Sequence, residues 1–156
     1  MRKIFFNFLF AISFLMSLSA FANAQANRKS VSATEVNGTF RMNFTGKYRE
    51  FWNDIKILAL GGGKIRVAMD LVYPYTVRKG EKSANMGQLD GQATISGDTA
   101  IYESNEFGLC KITIKFVRAG TIKVTQDGSD ADCGFGHNVM SGGTYRKVSS
   151  RKPRFD

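Results

Sequence analysis

The chain has 156 residues, 22 Lys and Arg against 13 Asp and Glu, a net charge of +9, two cysteines and one histidine. That length carries one ordinary domain, large enough to bury about two-thirds of its unfolded surface. Two cysteines and a single histidine exclude a disulfide-dense miniprotein and argue against a zinc site, which needs three or four protein ligands.

Residues 1–24 read as an export signal. Arg2 and Lys3 form a positive start, Ile4 to Leu18 is an apolar run interrupted by Asn7, Ser13 and Ser17, and Ala22-Asn23-Ala24 puts small residues at −3 and −1. A retained membrane anchor is the alternative, because the run approaches the ~20 residues of a spanning helix. The small-residue site that follows directly, and the polar residues after it, favour cleavage. No cysteine precedes Cys110, so the cleavage point has no lipid-attachment site. The expected product has 132 residues, with 20 positive and 13 negative side chains and a net charge of +7. It is expected in the periplasm or outside the cell, as a monomer with no transmembrane segment. Export also makes the cysteines legible. In an oxidising compartment Cys110 and Cys133 have one intramolecular pairing, which closes a loop worth about 3.4 kcal/mol on a chain-entropy estimate. Free buried thiols are the alternative; a catalytic dithiol would want Cys-x-x-Cys spacing.

Residues 25–36 are polar and weakly patterned, and are expected to be flexible. From there the chain reads as strands near 44–51, 54–60, 64–73, 86–96, 99–104, 110–118, 121–127 and 143–148. Ile65, Val67, Met69 and Leu71 alternate with Lys64, Arg66, Ala68 and Asp70. Ile112, Ile114 and Phe116 alternate with Lys111, Thr113 and Lys115, and Ile122 and Val124 with Thr121, Lys123 and Thr125. One apolar and one polar face is the mark of a half-buried antiparallel strand. Gly61-Gly62-Gly63, Gly97-Asp98 and Ala119-Gly120 supply hairpin turns. The fold class is therefore all-β: residues 37–148 form an antiparallel up-and-down β-barrel of about eight strands with one disulfide. A two-sheet β-sandwich is the alternative. Residues 149–156 make a short basic tail.

No catalytic constellation is readable, and the protein is expected not to be an enzyme. Gly61-Gly62-Gly63-Lys64 lacks Walker spacing and a following helix, and Gly134-Phe135-Gly136 is too short for a dinucleotide fingerprint. His137 sits in a loop near Cys133, with Asp130 and Asp132 upstream. Nothing in the spacing of Asp70, Asp98, Glu103 and Glu106 selects a carboxylate pair for glycoside hydrolysis. No cofactor or metal is implied. The positive charge favours acidic partners such as anionic lipid, lipopolysaccharide, acidic glycan or nucleic acid, and export removes nucleic acid as a physiological target. The bland alternative is that strand-face Lys and Arg only keep edges soluble. Basic residues interleave with aromatics over Lys47–Trp52 as in single-strand binders, although the same aromatics suit a barrel interior better. Asn37-Gly38-Thr39 and Asn43-Phe44-Thr45 match a glycosylation sequon, which matters only in a eukaryotic host. The candidate ligand contacts are the aromatics Tyr48, Trp52, Tyr73 and Tyr75, the last two at a barrel mouth, and Phe135, His137 and Asn138 in an exposed loop. Strand-face lysines rank lower, because no pattern in the sequence clusters them.

Gly97-Asp98-Thr99-Ala100, Cys110-Lys111-Ile112-Thr113-Ile114, Cys133-Gly134-Phe135-Gly136 and Gly143-Thr144-Tyr145 together resemble a group of small, mostly uncharacterised bacterial exported proteins. The resemblance covers about residues 90–148. In layout the chain is also similar to bacterial lysozyme-inhibitor barrels, which have a signal peptide, about eight strands, one disulfide and a late Gly-x-Tyr. Two functions follow as expectations. The first is a non-enzymatic binding module for an anionic or amphipathic envelope ligand, held at a barrel mouth or a basic face. The alternative is an inhibitor of a cell-wall hydrolase such as lysozyme, acting through residues 127–143. A basic lysozyme would meet like charge on a +7 partner, unless Asp127, Asp130 and Asp132 form a local acidic patch.

Overall fold

A computed structural model describes residues 30–155; the export signal expected at 1–24 lies outside them. Eight strands run β1 Gly38–Asn43, β2 Trp52–Gly61, β3 Lys64–Thr76, β4 Lys82–Ser96, β5 Thr99–Ser104, β6 Cys110–Arg118, β7 Thr121–Asp127 and β8 Gly143–Ser149. Each pairs antiparallel with the next, and β8 returns to β1, closing the barrel. The sequence alternation becomes inside and outside. Ile65, Val67, Met69 and Leu71 of β3 are buried against Ile55 and Ile57 of β2 and Ile112 and Ile114 of β6. Phe40 and Phe116 meet edge to face, 6.2 Å between ring centres. The β2–β3 hairpin turns through Gly61, Gly62 and Gly63, all at positive φ, where any side chain would be strained.

Two expected boundaries are corrected. Residues 44–51 are not a strand. The first strand is 38–43, and the following segment folds as a 3-10 turn over Gly46–Tyr48, allowed by Gly46 at φ 61°. Phe44 N–H donates to the Phe51 carbonyl at 3.1 Å and closes that loop. The β3–β4 hairpin is also longer than expected, running to Thr76 and starting at Lys82. It outreaches β2, whose pairing with β3 stops at Asp54–Asp70. Beyond that point the Asn53 side-chain oxygen accepts the Val72 N–H at 2.8 Å. Pro74, which has no N–H, then falls on the side of β3 with no neighbouring strand, where proline is tolerated.

Different segments seal the two barrel ends. At the lower end, the end of the Gly61–Gly63 turn, a helical turn α1 (Ala33–Val36) starts from a capping box between Ser32 and Glu35 and buries Val36. Lys147 Nζ from β8 donates to the carbonyls of Thr34, Glu35 and Asn37 at 3.0, 2.7 and 2.9 Å. The last residues of the segment expected to be flexible are thus built into the barrel. At the upper end, residues 128–142 form a plug tied to β6 by the Cys110–Cys133 disulfide, with Cα atoms 4.9 Å apart. Phe135, Val139 and Ser141 of the plug are buried. Tyr145 of β8 donates its hydroxyl to the Ser141 carbonyl at 2.8 Å. The plug also completes a seam. β4 and β5 pair only over Thr94–Ser96 and Thr99–Ile101; above that, Gly136 N–H donates to the Met86 carbonyl at 3.0 Å and takes the place of a strand partner.

Candidate functional site

The register across β5–β8 assembles an outward cationic face. Thr99 pairs with Lys115, Lys115 with Lys123, and Lys123 with Thr144, so one row crosses four neighbouring strands as Thr-Lys-Lys-Thr. On one side of it lies the pair Thr113–Thr125. On the other, Arg118, Thr121, Arg146 and Arg41 follow one another across β6, β7, β8 and β1. Two lysines directly opposite on adjacent strands repel each other. Among the described residues, Lys115, Lys123 and Arg146 belong to no ion pair. Other strand cations are paired: Lys56 with Asp70, Lys82 with Glu50, and two arginines with carboxylates across the sheet. Arg41 makes a bidentate contact with Asp54 at 2.7 and 2.6 Å, which raises the Arg41 pKa mainly through that hydrogen bond. Arg66 does the same with Asp90 at 2.9 and 2.7 Å, holding the Asp90 carboxyl below the usual range. The β5–β8 face therefore keeps Lys115, Lys123 and Arg146 together without a carboxylate partner among the described residues.

The upper end has the opposite sign. Glu103, Lys111 and Asp127 form the next row, with Lys111 3.2 Å from Glu103. Glu103, Ser104, Leu109, Cys110, Asp127 and Asp132 border a depression of about 750 Å³ beside the disulfide. Phe107 and Leu109, 66% and 83% exposed, stand on the β5–β6 loop next to it. Inside the plug, Asp130 accepts the backbone N–H of Asn138 and, at 2.8 Å, that of Ala131. Asp132 accepts Ser129 N–H at 2.8 Å and Ser129 Oγ at 2.7 Å. These bonds lower both carboxyl pKa values.

The residues chosen from sequence are only partly brought together. Asn85 of β4, which pairs with Tyr73, donates to the His137 carbonyl at 2.7 Å, so Tyr73 and His137 share the upper mouth with Asn138, held at φ 64°. Tyr75 lies farther out on the β3–β4 arm, opposite Ser83. Neither Tyr48, on the 3-10 turn between β1 and β2, nor Trp52, exposed at the start of β2, lies inside the barrel. Tyr48 Oη is 3.1 Å from Thr76 Oγ1, a hydrogen bond that lowers the phenol pKa, and Trp52 lies under the Arg41 guanidinium at 4.5 Å. Phe135 is not exposed; at 6% it belongs to the core, so it supports the mouth rather than contacting a ligand. His137 is open, its Nδ1 4.0 Å from the Asp130 carboxylate, while the nearby Ser129 hydroxyl is taken by Asp132. Among the described residues no three His, Cys, Asp or Glu side chains come together to hold a metal ion. The residues that sequence reasoning ranked low, Lys115, Lys123 and Arg146, are the ones the register gathers. Their signal is the strand pairing, which is not printed in any single strand. No known protein family, curated protein or solved structure matches the chain.

Proposed function

We propose that this protein is an exported, non-enzymatic binding module that holds an anionic ligand on the outward face of β5–β8. The observation that carries the reading is the direct Lys115–Lys123 pairing, with Arg146 alongside and no carboxylate partner for any of the three. Like charges at that spacing destabilise a sheet, and an anion laid across them converts the cost into binding. The barrel interior is filled by its own side chains, which favours a wall-bound ligand over one held inside. The disulfide fits an oxidising compartment, the periplasm or the outside of the cell. The test is titration with anionic ligands at low and high salt. Binding should weaken steeply with salt, and Lys115→Thr with Lys123→Thr should weaken it at low salt. Salt-independent binding, or an unaffected double variant, would refute it.

A second reading rests on the upper end. Exposed Phe107 and Leu109 beside the carboxylate-lined depression have the apolar anchor and charged rim of a protein interface. That pattern fits a basic hydrolase, including a lysozyme, and answers the like-charge objection locally. A stable one-to-one complex with a basic lysozyme, lost in Leu109→Asp, would support it; its absence at low salt would remove it.

A further inference from the structure

We infer that the ligand of the β5–β8 face is an acidic polysaccharide, an inference that rests on reading this face as an anion-binding surface. The face is long and open. Its central row crosses four strands, about 14 Å at the usual strand spacing, farther than one phosphate or carboxylate reaches. The depressions beside β3–β4 and the disulfide do not extend to it. A small anion would have no wall behind it, whereas a chain with repeated charges would engage Lys115, Lys123 and Arg146 together.

The neutral groups decide which polymer. The cations are interleaved with Thr99, Thr113, Thr125 and Thr144, each on the outward side of its strand. The Thr99 hydroxyl donates to Asp98 at 2.7 Å, whereas those of Thr113, Thr125 and Thr144, which can both donate and accept, suit a polyhydroxylated chain between its charges. Nucleic acid would want aromatic platforms for its bases, and the exposed aromatics Trp52, Tyr73 and Phe107 lie on other strands and loops. An anionic membrane would want large apolar side chains around the cations. The face offers Val117 and Val148, while Leu60, Met86 and Leu109 project elsewhere.

The experiment measures binding of the purified protein to polygalacturonate, neutral dextran, phosphatidylcholine–phosphatidylglycerol vesicles and a single-stranded oligonucleotide. Polygalacturonate should bind and neutral dextran should not. Lys115→Thr with Lys123→Thr should cost at least about tenfold in affinity. Thr113→Val with Thr125→Val keeps every charge; it should weaken polygalacturonate binding several-fold without changing elution from a cation exchanger. Unchanged melting curves would show that both variants fold. Vesicle or oligonucleotide binding as tight as polygalacturonate binding would overturn the polysaccharide inference and leave the anion reading standing. Binding to none of the anions would overturn both.

Discussion

A β-carbon on Gly87 would lie 2.9 Å from the ring of Phe135, because the disulfide-tethered plug presses that ring directly onto the β4 backbone. Four residues along, Gly91 receives Tyr102 in the same way, with a β-carbon only 2.5 Å from its ring. β4 thus gives up two side chains where its pairing with β5 has ended, and two aromatic rings close the gap. Gly87→Ala should destabilise the protein by about 1–3 kcal/mol, the usual range for overpacking. Phe135→Ala should cost about 3–5 kcal/mol through the cavity it leaves. Combined, the two should cost less than their sum, since the smaller residue at 135 makes room for the methyl. Urea midpoints of the four proteins measure this, and strict additivity would contradict the contact.

Opening the Cys110–Cys133 link frees the plug from β6. Cys133→Ser should lower stability by up to about 3.4 kcal/mol. Reductant should lower the melting temperature of the parent chain and leave the variant unchanged. Amide exchange should accelerate first over 128–142, which carries Phe135, Val139 and Ser141.

Tyr145 makes the barrel sensitive to alkali. Its phenol is fully buried and donates to the Ser141 carbonyl, and burial pushes its pKa well above the ordinary tyrosine value. The neutral phenol is thus favoured by folding. Its contribution is complete below the unfolded tyrosine pKa of about 10 and is lost as pH rises above it. Stability of the parent should fall steeply above that pH. Tyr145→Phe should cost about 1–2 kcal/mol at neutral pH, for the unmade hydrogen bond, and should flatten the alkaline fall. Parallel curves for the two proteins would count against this account.

Asp130 and Asp132 act at the other end of the scale. Backbone N–H groups hold both carboxyls below their usual range. Their support of the plug is present above the ordinary carboxylate pKa and disappears as pH falls through the lowered folded values. The amide of Asn138, bonded to Asp130, should lose protection, measured against its intrinsic exchange rate, on acidification. In Asp130→Asn that protection should no longer depend on pH in this range.

The strands from residue 54 onward were legible because alternation alone separates inside from outside. Eight strands joined by short hairpins pointed to the closed barrel that the structure shows, with only the choice over a sandwich left to the pairing of β8 with β1, whereas the position of β1 was not legible. Residues 44–51 hold Phe44, Tyr48 and Phe51 and look strand-like, but Gly46 breaks them and the inward pair is Phe40 and Met42. The cationic face was hidden by a single bulge. A tight Ala119-Gly120 turn with Arg118 opposite Thr121 would set Lys115 against Val124, joining an outward residue to an inward one. The register shift between Phe116 and Arg118 resolves this conflict by pairing Ile114 with Val124 and Lys115 with Lys123. The apolar pattern demanded such a bulge, since a one-residue slip turns every side chain to the wrong face. The demand emerges only when two strands are read against each other.

The lower end has a consequence for the order of events as the chain emerges. The carbonyls of Thr34, Glu35 and Asn37 wait for Lys147, which lies 110 to 113 residues later. A chain delivered N-terminus first therefore brings out the α1 segment early and its latch, Lys147, last. Until β8 arrives, the lower end has no lock and β1 lacks its second neighbour. Final closure then seats the oldest described segment with the newest strand in one step.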